Sequence, residues 1–495
     1  MSKILIERFN GTVFACLADH NKLLEYHIES EKSASIIGNI YKGKVVNVLG
    51  GMQAAFVNVG LERNAYLSAT DLPMEQLPID ENAIPMLNLK EGDEIMVQAM
   101  KENSGTKGAR VTAVVSVAGR FLVYLPTFDF IGISHKITNE SLRERLASLV
   151  NEFRPSGGGF IVRTAGEFAT DKELKAEAAA LISSFEKIKR TYDAATPGQV
   201  VYREGDLVTR MIRDVYTDEV DEIVVNDRKT YHRIAEISAL RGDSLIDKVR
   251  LFGNKQDIFQ AYGLAKEVEK LTKNKVYMPG GSYLVIDHTE ALTVIDVNTG
   301  KYIGKDNLEE TVFKTNRLAA KEIARQVRLR NISGIVLVDF IDMESEEHKA
   351  AIVEELREAL KPDRIKCNVV GMTGLGLVEF TRKKTRKSVS SVLEKHCPHC
   401  EGSGYIHSDV YTIMRIRAEV LEKFAEGYNT VVVEANASVV ANIGKEADLS
   451  VFEEGADGKK LYLIPHRTYH EEEFTVRGEE GEPQTLPETA VAYQG

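Results

Sequence analysis

Residues 291–298, ALTVIDVN, and residues 334–342, GIVLVDFID, are two apolar, β-rich runs that each carry an aspartate near the end. Each reads as a strand. A loop and a long amphipathic helix, roughly Leu308 to Arg330, lie between them. Strand, helix and strand make a βαβ unit, whose crossover sets the two strands parallel with a right-handed connection. Parallel strands bring Asp296 and Asp339 to the same sheet edge, which is where open α/β sheets bind ligands.

That edge can carry chemistry. Asn298 stands two residues after Asp296, on the same side of an extended chain, where it can hydrogen-bond and orient the aspartate. Two hard oxygen ligands with open remaining positions suit Mg²⁺, which keeps several waters and binds phosphate as well. Such an ion polarises a phosphodiester and lowers the pKa of bound water. The competing reading makes each aspartate a turn or helix-capping residue, as is common after buried strands. Asp342 and Glu344 are further ligands or merely solvated acids. Gly300 and Gly304 in NTGKYIGK suggest a phosphate loop but lack the P-loop spacing.

Working outward, residues 38–125 hold closely spaced β-rich runs: IYKGKVVNVL, AAFVNVG, NAYLSA, EIMVQAM and RVTAVVSVAG. Five short strands are the count of an OB barrel. On it, Phe56 and Tyr66 are candidates for base stacking, and Lys42, Lys44 and Lys107 for phosphates. An aromatic on a strand is also a common core residue. After Pro126 the pattern turns helical: Leu142, Leu146, Leu149 and Phe153 share a face. A Gly157–Gly159 break and a strand, FIVRTAG, follow. A second helix starts at Thr170, with Glu173 completing a capping box and Leu174, Ala178, Leu181, Phe185 and Ile188 on one stripe. Arg163 and Thr164, just after the strand, offer a guanidinium fork and a hydroxyl that could grip a phosphate monoester.

The first 35 or so residues alternate with period two and predict strands whose partners come from residues 215–278. The runs RKKTRK at 382–387 and Arg325, Arg328 and Arg330 on the long helix read as solvated basic faces. Beyond Tyr469 an acidic, Gly/Pro-containing stretch predicts a disordered tail. No internal repeat is visible.

A chain of 495 residues exceeds one core, so several domains are expected. With 43% hydrophobic and 28% charged residues it has a globular composition. No run approaches the length of a membrane span, and the opening MSKILIERFNGTVFACLADH lacks a signal-peptide pattern, so a cytoplasmic protein is expected. The net charge of -11 argues against coating nucleic acid through the overall field, so any RNA contact must come from local basic patches. Four cysteines, Cys16, Cys367, Cys397 and Cys400, are too few for a disulfide framework. The last two form a CxxC in KHCPHCEGSGY. Structural zinc wants four ligands, so a closed thiolate site needs a second copy of the chain. The rivals are a mononuclear site completed by His396 or His399, and no metal at all.

Taken together, NIYKGKVVNVLGGMQAAFVNVGLERNAYL, VSVAGRFLVYLP, FIVRTAG, EALTVIDVNTG, EETVFKTNRLAAKEIARQVRLRNISGIVLVDFIDM and KHCPHCEGSG closely resemble, in order, the catalytic region of the ribonuclease E/G family. The likeness runs through about residue 415 and is to the short, ribonuclease G-like kind, because nothing resembles a long scaffold region. It implies a Mg²⁺-dependent endoribonuclease that hydrolyses single-stranded RNA to 5′-phosphate and 3′-hydroxyl ends, in rRNA processing and mRNA turnover. It also implies the roles of residues. Asp296 and Asp339 would be magnesium ligands, with Asn298 holding Asp296. Cys397 and Cys400 would form a zinc-link shared between protomers of a homodimer, with dimers able to pair into tetramers. Phe56, Tyr66 and Lys107 would contact RNA, Tyr66 standing where a phenylalanine is familiar. Gly119, Val123, Arg163 and Thr164 would sense a 5′-monophosphate, with His135-Lys136 where two arginines are expected.

The fold implied is multidomain α/β and α+β. Its parts are a ribonuclease H-like subdomain (1–35 and 215–278), an S1-type OB-fold domain (36–125), a 5′-sensor segment (126–214), a deoxyribonuclease-I-like catalytic subdomain (279–396), a zinc-link (397–415) and a small carboxy-terminal domain with tail (416–495). Two other classes fit the residues alone, a non-catalytic RNA-binding factor and a metal-dependent deoxyribonuclease.

Overall fold

The computed structural model describes the chain apart from residues 1, 31–34, 74–87, 103–106, 242, 254–255, 301–307, 447–457, 484 and 495. Two compact units divide it, Met1–Leu393 and Glu394–Gly495.

In the first unit, the predicted βαβ pattern forms the centre of a six-stranded sheet. Its order is Lys275–Tyr277, Tyr283–His288, Leu292–Asn298, Gly334–Asp339, Leu377–Arg382 and Cys367–Met372. Only Leu292–Asn298 and Gly334–Asp339 run parallel. Their connection includes the helix Leu308–Leu329, which lays Val312, Ala319, Ala320, Ile323, Ala324 and Val327 on the sheet. A second helix, Glu346–Leu360, adds Ile352, Leu356 and Leu360 to the same core. Each fully buried Val, Leu or Ile contributes roughly 1.5–3 kcal/mol, whereas an exposed ion pair such as Lys314–Glu310 is worth about 0–1 kcal/mol. The apolar stripe therefore sets the helix position. It also sorts the sheet's faces: Ile295, Val297, Val336 and Val338 point into the core, and Asp296 and Asp339 point out.

The basic runs are less solvated than their sequence suggests. Arg382 is buried on Asp363 at 2.8 Å and also donates to Asn331 Oδ1 and the Ile332 carbonyl. Arg330 is buried against Gln326 and the Lys270 carbonyl. Arg325 pairs with Glu322 and Glu267. Long guanidinium stems with fixed acceptors serve here as internal ties.

The amino-terminal strands Ser2–Phe9, Thr12–Asp19 and Lys22–Ser30 form an antiparallel meander. Val220–Val225 and Val249–Leu251 extend it by parallel pairing, so residues 215–278 do supply the partners. A closed five-stranded barrel follows. It contains Ile40–Leu49, Ala54–Asn58, Ala65–Ser68, Arg110–Thr112 and Glu94–Lys101, and is closed by pairing of the first with the last. The run RVTAVVSVAG divides: Arg110–Thr112 stays in the barrel, and Val117–Ala118 joins a separate sheet ordered Ile131–Ile133, Gly159–Val162, Leu122–Leu125, Val117–Ala118. The helices Glu140–Phe153 and Asp171–Ala194 pack on that sheet, the second starting with the Thr170/Glu173 capping box.

The second unit is a four-stranded sheet, Phe474–Glu479, Thr430–Asn436, Lys460–His466 and Val491–Gln494, with the helices Asp409–Ala425 and Ala437–Glu446. The expected disorder beyond Tyr469 is therefore corrected. Phe474 and Val476 alternate onto the core, while Arg477 on the outer face pairs with Glu434 at 2.5 Å. Composition alone hides such a strand, because half of its positions face solvent.

A buried polar pair makes the first unit acid-sensitive. His27 Nε2 lies 3.2 Å from Glu25 Oε2. Burial pushes the His27 imidazole down to about 4, and the neighbouring Arg386 adds to this. Burial raises Glu25, but the hydrogen bond from His27 and the charge of Arg364 outweigh it and hold the carboxyl at about 2. On lowering the pH, the unfolded chain binds protons first, at His27 near 6.5 and at Glu25 near 4.5. Stability from both groups is therefore fully present above pH 6.5 and is lost progressively as the pH falls towards about 2. His27→Gln should flatten the decline between pH 6.5 and about 4, read from thermal midpoints. An unchanged slope would contradict the assignment.

Candidate active site

Asp296 and Asp339 are direct register partners on the two parallel strands. Both are exposed, next to each other on the open face of the sheet. Asn298 Nδ2–H donates to Asp296 Oδ2 at 2.6 Å, so the asparagine does hold this carboxylate. Asp339 is raised above the usual carboxylate range, first by partial burial and then by the charges of Asp296 and Asp342. Three acids thus repel around one point, a set of hard oxygen donors that a divalent cation would relieve. The capping alternative fits poorly. The helix Glu346–Leu360 takes its cap from Ser345, and Asp296 accepts from Asn298. Glu344 is exposed nearby in sequence.

One buried residue that sequence reading missed fixes the exit of this edge. Asn316 is fully buried in the long helix; its Nδ2 donates to the Ile341 carbonyl at 2.8 Å and its Oδ1 accepts from the Ile341 N–H at 3.1 Å. The segment after Asp339 is clamped by both backbone groups. Gly300 has a structural explanation as well. Its φ is +58°, and an added Cβ would stand 2.3 Å from the Gly281 carbonyl oxygen, so close backbone approach requires the glycine. Gly304 lies outside the described residues.

On the barrel, Phe56 and Tyr66 are cross-strand partners with ring centroids 6.2 Å apart, half-buried and outside the barrel's core cluster. The two rings meet edge to face at 71°. Lys107 and Lys44 are exposed. Lys42 is not: it is buried, paired with Glu94 at 3.0 Å and placed over the Tyr192 ring, which removes it from the phosphate candidates.

Gly119, Val123, Arg163 and Thr164 come together on the smaller sheet. Arg163 Nη1 donates to the Gly119 carbonyl at 2.5 Å, Val123 pairs with Ile161, and the Thr164 and Ser134 hydroxyls are 3.0 Å apart. Two carboxylates already engage this group. Asp214, from the wide π-type turn Met211–Val215, accepts from Arg163 Nη2 at 2.7 Å. Glu177 accepts from the N–H groups of Arg120, Phe121 and Leu122 at 2.7–2.8 Å. No local sequence pattern marks either acid. Lys136 points elsewhere, donating to the Lys361 carbonyl at 2.9 Å. Beside Arg163 opens a cavity of about 670 Å³, lined by Arg210, Arg213, Arg328 and Arg386 among others. Arg328 Nε and Thr385 Oγ1, both in its wall, are buried without a hydrogen-bond partner among the described residues. The same wall holds Glu25, Glu204, Asp214 and Asp363, and Arg210 and Arg213 are already paired, with Glu29 and with Glu204 and Asp214.

In the second unit, the Cys400 thiol is held below its ordinary value, first by the Gly404 N–H and then by that of Gly402, with Cys397 also bonded to it. The Gly404 N–H stands 3.3 Å from Cys400 Sγ. A lowered thiol suits a metal ligand. Among the described residues, the two sulfurs are not grouped with a histidine or carboxylate as three ligand atoms.

The chain is similar to known proteins over most of its length. The pattern of the Ribonuclease E/G family matches residues 116–385, which include both aspartates and the Arg163 group. Ribonuclease G of Salmonella typhimurium (strain SL1344) is 37% identical over 468 residues, 92% of this chain and 96% of that one. Ribonuclease G of Escherichia coli (strain K12) is 38% identical over the same shares. Ribonuclease E of Escherichia coli (strain K12) is 32% identical over 460 residues, 91% of this chain but 43% of that longer protein. By pattern and by full-length similarity, the chain belongs to the ribonuclease E/G family.

Proposed function

We propose that this chain, an endoribonuclease of the ribonuclease E/G family, hydrolyses single-stranded RNA internally with Mg²⁺ held by Asp296 and Asp339, leaving 5′-phosphate and 3′-hydroxyl ends. The carrying observation is the in-register adjacency of the two carboxylates, one of them gripped by Asn298. When bound, Mg²⁺ would supply charge neutralisation at the phosphodiester and lower the pKa of water. The protein's own part is positioning. Asn298 hydrogen-bonds Asp296, and the raised proton affinity of Asp339 reflects its partial burial first and then the charges of Asp296 and Asp342. Phe56 and Tyr66 would stack bases, each worth about 1–3 kcal/mol, with Lys107 on the backbone. The family resemblance extends this reading to rRNA processing and mRNA turnover in the bacterial cytoplasm.

The same reading assigns the remaining parts. The meander flanked by parallel strands supports a ribonuclease H-like subdomain, the closed barrel an S1-type OB fold, and the six-stranded sheet a deoxyribonuclease-I-like catalytic subdomain. Cys397 and Cys400 would share zinc with the same pair of a second chain, making a homodimer, with tetramers by pairing of dimers.

Asp339→Asn should lower cleavage of a short A/U-rich RNA by about 10³-fold or more while RNA affinity stays within about 2-fold. Asn298→Ala should cost roughly 10–100-fold, partly recovered by excess Mg²⁺. Undiminished cleavage in Asp339→Asn would remove the metal edge from the mechanism.

Gly119, Val123, Arg163 and Thr164 would form a 5′-monophosphate sensor that Asp214 and Glu177 keep occupied when no RNA end is present. A phosphate must then compete for the guanidinium. Freeing about 1 kcal/mol of that competition, Asp214→Asn should improve cleavage of 5′-monophosphorylated RNA roughly 3–10-fold through KM, with 5′-hydroxyl RNA unchanged. Equal losses on both substrates would make Asp214 a structural residue only.

A further inference from the structure

Three side chains of the carboxy-terminal unit meet at a point that does not include the two sulfurs. His399 Nε2 is 3.2 Å from Glu471 Oε2, and the His399 and His470 rings are 4.4 Å apart at 50°. One ligand atom from each of His399, His470 and Glu471 lies within 4.8 Å of the other two. Nitrogen and oxygen ligands about 2.0–2.2 Å from a tetrahedral zinc stand roughly 3.3 Å from each other. The His399–Glu471 separation already matches that spacing.

The tautomer of His470 is settled by its neighbours. His470 Nε2–H donates to the His399 carbonyl at 2.7 Å, and the Glu472 N–H donates to His470 Nδ1 at 3.2 Å. Nδ1 therefore carries a lone pair. A ring anchored through one N–H on a backbone carbonyl, with its other nitrogen unprotonated, is the arrangement that orients metal-binding histidines. The longer bond, from the Glu472 amide, is the one a metal would replace. Two imidazoles and one carboxylate favour zinc over Mg²⁺, which prefers an all-oxygen set.

We propose that His399, His470 and Glu471 form a zinc site of their own, one per chain, with the fourth position open to water. His399 belongs to the turn that carries Cys397 and Cys400, whereas His470 and Glu471 precede the strand Phe474–Glu479. The ion braces the cysteine turn against the sheet of the same unit. It is distinct from the shared thiolate site and does not depend on it.

The test is a zinc count on the full-length protein after loading and dialysis, for the wild type, His470→Ala, Glu471→Gln and Cys397→Ala. The wild type should hold about one zinc per chain more than His470→Ala or Glu471→Gln. Cys397→Ala should keep that ion and, with Co²⁺ in its place, show weak visible bands without strong thiolate charge transfer. Glu471→Gln leaves the His470–carbonyl bond in place and so reports even if His470→Ala fails to fold. Equal zinc in the wild type and Glu471→Gln would overturn the proposal. So would loss of all zinc in a folded Cys397→Ala, or a wild type holding no more than about one ion per two chains.

Discussion

Two carboxylates that repel each other stand side by side because the strands bearing them are parallel and in register, about 4.8 Å apart as neighbouring strands must be. Everything at the candidate active site follows from that pairing. The opposing force comes from the other face of the same strands, where Ile295, Val297, Val336 and Val338 are buried under two helices. A slip of one residue would turn the aspartates into the core and the valines into water, so burial of the apolar set fixes the acids by exclusion. Asn316 completes the restraint by holding both backbone groups of Ile341 just beyond Asp339.

A second theme is that several arginines and backbone amides rest on carboxylates. Arg163 rests on Asp214, the amides of residues 120–122 rest on Glu177, and Arg382 rests on Asp363. Only the last pair is fully buried, and its role is to tie the end of the strand Leu377–Arg382 to the loop after Leu360. The other two are only partly buried, with 30% of the Arg163 side chain and 24% of the Asp214 side chain exposed. The difference in burial separates Arg382, closed off from water, from Arg163, which is not.

Much of this was legible in the sequence because the signals were periodic. The alternation in ALTVIDVN and GIVLVDFID, the stripe on the long helix and the Thr170/Glu173 cap all survive into the structure. What escaped was set by partners distant in the chain. Lys42 reads as a surface cation until Glu94 and Tyr192 close over it. Residues 474–479 look like an acidic tail until Thr430–Asn436 supplies a ladder for them. Val117–Ala118 continues an apolar run from the barrel, yet its hydrogen bonds go to Leu122–Leu125. Asp214, Glu177 and His470 belong to no local motif, and only folding brings them to Arg163, the 120–122 amides and His399.

The most direct test of the metal-edge account exchanges one oxygen ligand for sulfur. With Asp339→Cys, cleavage of a short single-stranded RNA would be compared in Mg²⁺ and in Mn²⁺. Mg²⁺ binds thiolate poorly and Mn²⁺ tolerates it better, so the account predicts a variant nearly inactive with Mg²⁺ and substantially restored by Mn²⁺. Equal activity in both metals, or equal failure in both by a folded protein that still binds RNA, would contradict a role for Asp339 as a metal ligand.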